Sequence, residues 1–254
     1  MKSELRNFAF VAALSLGSLS GLHADRPFVD TLAPSRFVNV GVHASVGNST
    51  LTQNYRSSFP QISQLNVSAG WSFGAGANVE FGLRDFMWLG TEANLLIDNN
   101  SIDMIVNEDQ SATSVSNIFL RNHYYYLNIP VYMSFKFNLA PTVRWNIDGG
   151  IYYSYGLGGN QRQNVYTSRV NEIGQLVATK YEIKTDYFND SRSFINSYHR
   201  GDIGLHLATG LTFGSRISVG ARMQFGFKNV ANTVGVTHPN IHNLSFTGTL
   251  GYWF

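Results

Sequence analysis

The chain has 254 residues, no cysteine, 24 glycines, 6 prolines, 14% aromatic and 13% charged residues. The absence of cysteine excludes a disulfide framework and a thiolate metal site, and the balance of residue types is that of strands and turns rather than of helices or disordered polymer. The formal net charge of +2 comes without any clustered run of Lys and Arg, so nothing points to a nucleic-acid partner.

The first residues read as an export signal. Lys2 and Arg6 flank the amino end, Phe8 to Leu22 form an apolar run, and Leu22, His23 and Ala24 precede Asp25. This predicts a signal peptide over 1–24, cleaved after Ala24; a spanning helix needs about 20 apolar residues, more than this run supplies. No cysteine follows that would accept a lipid. Residues 25–36 then form a short periplasmic segment, and 37–254 a single domain. No other stretch approaches a spanning helix, so any membrane residence must be built from strands.

From Phe37 onward apolar residues recur at every second position, the period of a strand with two unlike faces. Four such segments lie near Phe37 to Val46, Leu65 to Leu83, Phe86 to Asp98 and Tyr124 to Asn138. Pro130 inside the fourth predicts a bulge or kink there. In the fifth, Val143, Trp145, Ile147, Ile151, Tyr153 and Tyr155 alternate with polar or small residues, and in the sixth Ile203, Leu205, Leu207, Leu211 and Phe213 do so. The seventh sets Ile217, Val219, Ala221, Met223, Phe225 and Phe227 against Arg216, Gly220, Arg222 and Gln224. The eighth carries Leu244, Phe246, Leu250, Tyr252 and Phe254 on one face, with Trp253 as the exception on the other.

The connections alternate as well. Tight turns fall at Arg84 and Asp85, at Leu139 to Pro141, and at Gly214 and Ser215, whereas Gly47 to Gln64, Asn99 to His123, Gly158 to Gly201 and Asn229 to His242 read as long polar loops. Short turns at one end and long loops at the other are the layout of an outer-membrane barrel with both termini in the periplasm. The expected fold is therefore all-β: an eight-stranded antiparallel up-and-down transmembrane β-barrel.

Volume decides which face looks outward. The interior of eight strands holds side chains or one small ligand, too little space for Trp71, Phe73, Phe81, Phe135, Phe137, Trp145, Tyr153, Phe213, Phe225 and Phe246 together. The opposite faces, rich in glycine, fit a narrow lumen. The charges on them, Glu80, Glu92, Lys136, Arg144, Asp148, Asp202, Arg216 and Arg222, are expected to pair inside it, because an unpaired buried charge is very costly.

A family likeness rests on YLNIPVYMSFKF (Tyr126 to Phe137), GGIYYSYGLGG (Gly149 to Gly159), DIGLHLATGLTFGSRISVGARMQFGFKNV (Asp202 to Val230) and the ending SFTGTLGYWF. Together they resemble the PorT-like outer-membrane β-barrel family over roughly the whole mature chain. After Thr91 and Glu92 this chain has Asn94, Leu95, Leu96 and Ile97 where the family tends to a Tyr-Ser-x-Lys-Gly run. The resemblance implies the barrel fold and, for the family's namesake, a part in assembling a secretion and gliding apparatus, a role the fold alone does not transfer.

Candidate functional residues are few. Leu250, Tyr252 and Phe254 look like the C-terminal signal read by barrel-insertion machinery. Asp202 and His206 share a face, and Asp148 or a serine would complete a hydrolase-like set, but no nucleophile motif is present. The histidines lack metal-ligand spacing, and the tripeptides beginning at Asn48, Asn66 and Asn189 match a sequon that presumes a eukaryotic route. The 158–201 loop reads as a projecting hairpin of Gln163 to Val170 and Leu176 to Phe188, with Tyr166, Tyr181, Tyr187 and Phe188 as candidate contacts for a protein partner. The expectation is a non-enzymatic barrel without cofactor, catalytic residue or metal. Its partners would be outer-membrane lipid, the insertion machinery and a protein bound at that loop. The alternatives are a narrow pore or secretion-assembly component and, third, a barrel enzyme.

Overall fold

The computed structural model describes residues 27–107, 114–189, 197–232 and 239–254. The signal peptide expected over 1–24 lies outside them. The strands are β1 (Val38–Gln53), β2 (Ile62–Arg84), β3 (Met87–Asn107), β4 (Ser114–Ala140), β5 (Val143–Val170), β6 (Leu176–Asp186), β7 (Gly201–Phe213), β8 (Ile217–Gly226) and β9 (Ile241–Trp253), with one helical turn, α1 (Tyr55–Ser58), between β1 and β2. All pairings are antiparallel, in the order β4-β3-β2-β1-β9-β8-β7-β5-β6, and a further β4–β5 pairing closes the ring. Eight strands make the barrel. The ninth, β6, hangs from the upper part of β5, whose lower part pairs with β7.

Outside, the barrel wears an apolar belt. Trp71, Phe73, Leu95, Tyr153, Phe246 and Leu250 are all exposed. The belt runs from Leu89 to Ile97 on β3, from Tyr125 to Phe135 on β4 and from Ile203 to Phe213 on β7, close to the 9–11 tilted residues that cross a bilayer. Inside, Glu80, Glu92, Asn94, Asp98, Asn128, Ser134, Asp202 and Arg222 are buried.

Above the belt the two faces exchange character. On β3 the inward face changes from Asp98 and Asn100 to Ile102, Met104 and Val106, and on β4 from Asn122 to Leu120 and Ile118, all buried. The outward face becomes mostly polar, with Ser101, Asp103, Asn117 and Arg121 around one exposed edge-on aromatic pair, Phe119 and Tyr166. A strand in lipid must show apolar groups outward, whereas in water it must hide them, so this inversion marks where the sheet leaves the bilayer.

The structure lengthens the strands expected from alternation. The segment 99–123 is mostly ladder, Asn99↔His123 to Asn107↔Val115, and β5 runs unbroken to Val170 before β6 returns along it. The predicted hairpin is thus an extension of the barrel wall. Alternation reads the strand extensions at 99–123 and 158–170 as loop because the inversion breaks the apolar-outward pattern while leaving the strand intact; the connection between β8 and β9 stands where expected.

The tight turns stand where expected. At the β7–β8 turn Gly214 and Ser215 take φ of +57° and +61°, and the Arg216 N–H donates to the Phe213 carbonyl at 3.1 Å, the type I′ geometry that suits twisted hairpins. Pro130 makes no bulge. It stays in register opposite Tyr152, and its carbonyl accepts from Thr91 Oγ1 at 3.0 Å; its effect is a gap in the β3–β4 ladder between Thr91↔Val131 and Asn94↔Asn128. At Gly90 a Cβ would lie 2.4 Å from the ring of Tyr132, so only glycine lets that ring lie flat across the lumen.

Candidate functional site

The interior is built in three tiers. At the turn end Lys136 bonds the Glu80 carboxylate, with Nζ 4.6 Å from the Trp88 ring centroid and 5.1 Å from that of Trp253. Trp253, out of pattern by alternation, is therefore one wall of a cation site. Arg144 pairs with Asp85 and donates through Nε to Asn138 Oδ1 at 3.0 Å. The N-terminal segment crosses this end: Phe28 stacks on Phe137 at 5.0 Å, and the carbonyls of Phe28 and Leu32 accept from the N–H groups of Asn138 and Asp85 at 2.9 and 3.0 Å.

In the middle tier Arg222 Nη2 donates to Glu92 at 2.6 Å. Asn94 Nδ2 donates to the same carboxylate at 2.9 Å, and His43 Nε2 lies 3.6 Å from it. Asn128 donates to Ser154 Oγ at 2.7 Å and accepts from Gln224 Nε2 at 3.2 Å. His206 stacks on Tyr132 at 5.3 Å. Between the lower tiers lies a cavity of about 70 Å³, with Asn78, Asp148 and Arg222 in its wall. Asn78 Oδ1, Asp148 Oδ1 and Arg222 Nε have no protein partner, and the space suits a few bridging waters.

The top tier is apolar. Tyr187 and Phe188, which follow β6, turn inward, and Tyr187 stacks between Tyr124 at 4.3 Å and Tyr198 at 4.5 Å. The Tyr198 and Tyr55 hydroxyls are 3.1 Å apart. Around them Leu51, Phe59, Ile102, Leu120, Val165 and Ile241 complete a core that fills the extracellular mouth. Burial raises the pKa of the loop tyrosines: that of Tyr198 is pushed up to about 12, and those of Tyr55 and Tyr187 rise well above the ordinary value, each further raised by neighbouring tyrosines.

The predicted residues separate accordingly. Glu80, Glu92, Lys136, Asp148, Asp202 and Arg222 face the interior, and Arg144 closes its turn end. Arg216 does not join them. It is exposed at the β7–β8 turn, where Nη1 donates to the Tyr252 hydroxyl at 3.1 Å, because the turn lifts it out of the strand's alternation. Of the four loop contacts, Tyr166 and Tyr181 are exposed, but Tyr187 and Phe188 are buried in the top tier. Asp202 and His206 are not coupled: Asp202 accepts from the Tyr152 hydroxyl at 2.8 Å and Asn243 at 2.9 Å, while His206 Nδ1 meets Gln224 at 3.1 Å. Sequence reading missed Asp85, His43 and the top tier. Its parity rule places His43 inward beside Gly41 and Ser45, but no sequence signal pairs it with Glu92.

A closed ring with an apolar belt outside and a side-chain-filled polar interior defines a transmembrane β-barrel of the outer-membrane type. The chain belongs to the outer membrane protein beta-barrel domain family, whose profile matches residues 24–232, and the family implies location in the outer membrane. No curated protein sequence matches. Among solved structures, the chain is similar to the attachment invasion locus protein Ail of Yersinia pestis in complex with a heparin analogue, at 10% identity over 86% of this chain and 100% of that one with a TM-score of 0.37. It is similar also to Neisserial surface protein A, at 10% identity over 85% and 97% with a TM-score of 0.32, and to the outer membrane protease OmpT of Escherichia coli, at 12% identity over 93% and 100% with a TM-score of 0.38.

Proposed function

We propose that the protein is exported by a signal peptide cleaved after Ala24 and serves as a non-enzymatic barrel that binds a protein partner through its extracellular extension, in the manner of a PorT-like structural component. One observation carries this reading: the extracellular mouth is filled by a packed apolar core, while β6 is exposed almost throughout and, among the described residues, pairs only with β5. A filled mouth disfavours a pore, and a free strand edge is a template for an added strand. Val177, Tyr181 and Ile183, which share one face of β6, are exposed as well, giving the added strand an apolar stripe to cover.

The test uses the full chain in intact outer membranes with a photocrosslinker at Tyr181. A discrete protein adduct is expected, lost in a Val177→Lys/Ile183→Lys variant that still folds. An adduct pattern identical to that of a probe at the belt residue Leu250, or stepwise conductance of the purified protein in planar bilayers, would overturn the reading.

A further inference from the structure

The outward face of the extracellular extension carries a row of cations across three adjacent strands. Arg121 on β4 is the register partner of Arg162 on β5, and Arg162 is the partner of Lys184 on β6. All three are exposed. Like charges set directly opposite on one face of a sheet repel. A single acid, Glu182, serves two of them, with Oε1 3.5 Å from Arg162 and 3.7 Å from Lys184, and such exposed pairs are worth little. Arg121 has no ion pair among the described residues. Asp103 and Asp186 sit in neighbouring rows and make none with this row.

The height of the row identifies its occupant. On β4 the outward side chains descend from Arg121 to His123 to Tyr125, and Tyr125 is the top of the continuous apolar belt, with the aromatic pair Phe119 and Tyr166 exposed above the cation row. Four residues of strand are about 13 Å, or about 10 Å of height at barrel tilt, and a long arginine side chain reaches back toward the interface. That is the level of lipid headgroups in the outer leaflet. A pair of guanidinium forks there matches the geometry of a phosphate.

We propose that Arg121 and Arg162, supported by Lys184, bind the phosphate of a phosphorylated glycolipid headgroup in the outer leaflet. The contact is independent of any protein partner at the β6 edge, since it uses the opposite face of the ribbon. It also resolves the like-charge row, in which three cations face the single acid Glu182.

Native mass spectrometry of the full-length protein in detergent tests this with diphosphorylated lipid A, the same lipid with its phosphates removed, and inorganic phosphate. The diphosphorylated lipid is expected to bind at least tenfold more tightly than the dephosphorylated one, and Arg121→Gln/Arg162→Gln to abolish that difference while heat-modifiable migration shows the barrel folded. Glu182→Gln, which removes the competing acid, is expected to tighten binding two- to threefold, and it decides the matter if the double variant does not fold. Equal binding of the two lipids, no gain in Glu182→Gln, or full displacement by millimolar inorganic phosphate would overturn the proposal.

Discussion

Tyr124 and Tyr187 lie face to face, 4.3 Å between ring centroids and 10° from parallel, although one stands on a barrel strand and the other follows the hairpin strand β6. Tyr198 extends the stack at 4.5 Å, so one side chain ties the return of the extracellular ribbon into the barrel mouth. Tyr187→Ala is expected to cost the top tier about 3–5 kcal/mol. Because the belt and lower tiers do not touch Tyr187, the variant should still insert. Hydrogen exchange should rise around 186–189 and 197–198 and stay unchanged at 143–155; uniform loss of protection would mean that the barrel and its cap are one cooperative unit.

Alkali acts on the same tier. The buried loop tyrosines Tyr55, Tyr187 and Tyr198 have pKa values raised above their unfolded values by burial, that of Tyr198 to about 12. A raised value means that the folded state favours the neutral phenol, so the stability it contributes is complete below about pH 10 and declines as pH climbs through 12. Ultraviolet titration of phenolate should show a late class of tyrosines that ionises together with a rise in hydrogen exchange at the cap. Phenylalanine at Tyr55, Tyr187 and Tyr198 should take three tyrosines out of the late class, leaving the other buried tyrosines such as Tyr124 in it.

The charged turn end is expected to behave as a unit. Lys136→Met leaves Glu80 buried without its cation, at a cost of about 3–5 kcal/mol. Glu80→Gln/Lys136→Met removes both charges and should recover most of that loss, since Met still fits between Trp88 and Trp253 and Gln retains a hydrogen-bonding side chain. Unfolding in urea from lipid vesicles measures the cycle; additive losses would show that the two groups act independently.

Belt and lumen were legible in the residues because lipid and water impose opposite demands on alternate positions, and the ten rings named from alternation could not share one interior. That rule alone also assigned Glu92, Asp148 and Arg222 to the inside. It gave no access to the top tier, where Ile102, Met104, Leu120 and Ile118 continue β3 and β4 with reversed polarity, so strands looked like loops. Tyr187 and Phe188 resemble exposed loop aromatics in sequence, and only the path of the chain after β6 folds them inward. Arg216 shows the converse: parity puts it in the lumen, yet it closes the β7–β8 turn and lies exposed there.

Phe254 separates the stability of the finished barrel from its assembly. The residue is 65% exposed, its N–H donates to the Val40 carbonyl at 3.0 Å, and its own carbonyl accepts from Arg36 Nη1 at 2.9 Å. Phe254→Ala keeps both backbone bonds and loses only an exposed ring that meets Tyr252 edge-on at 5.5 Å, so the folded protein should lose no more than about 1 kcal/mol. If Leu250, Tyr252 and Phe254 are read as an insertion signal, the same variant should accumulate in the periplasm uninserted while refolding normally into lipid vesicles in vitro. Normal membrane yield would remove the signal role and leave Phe254 as an ordinary last residue of the belt.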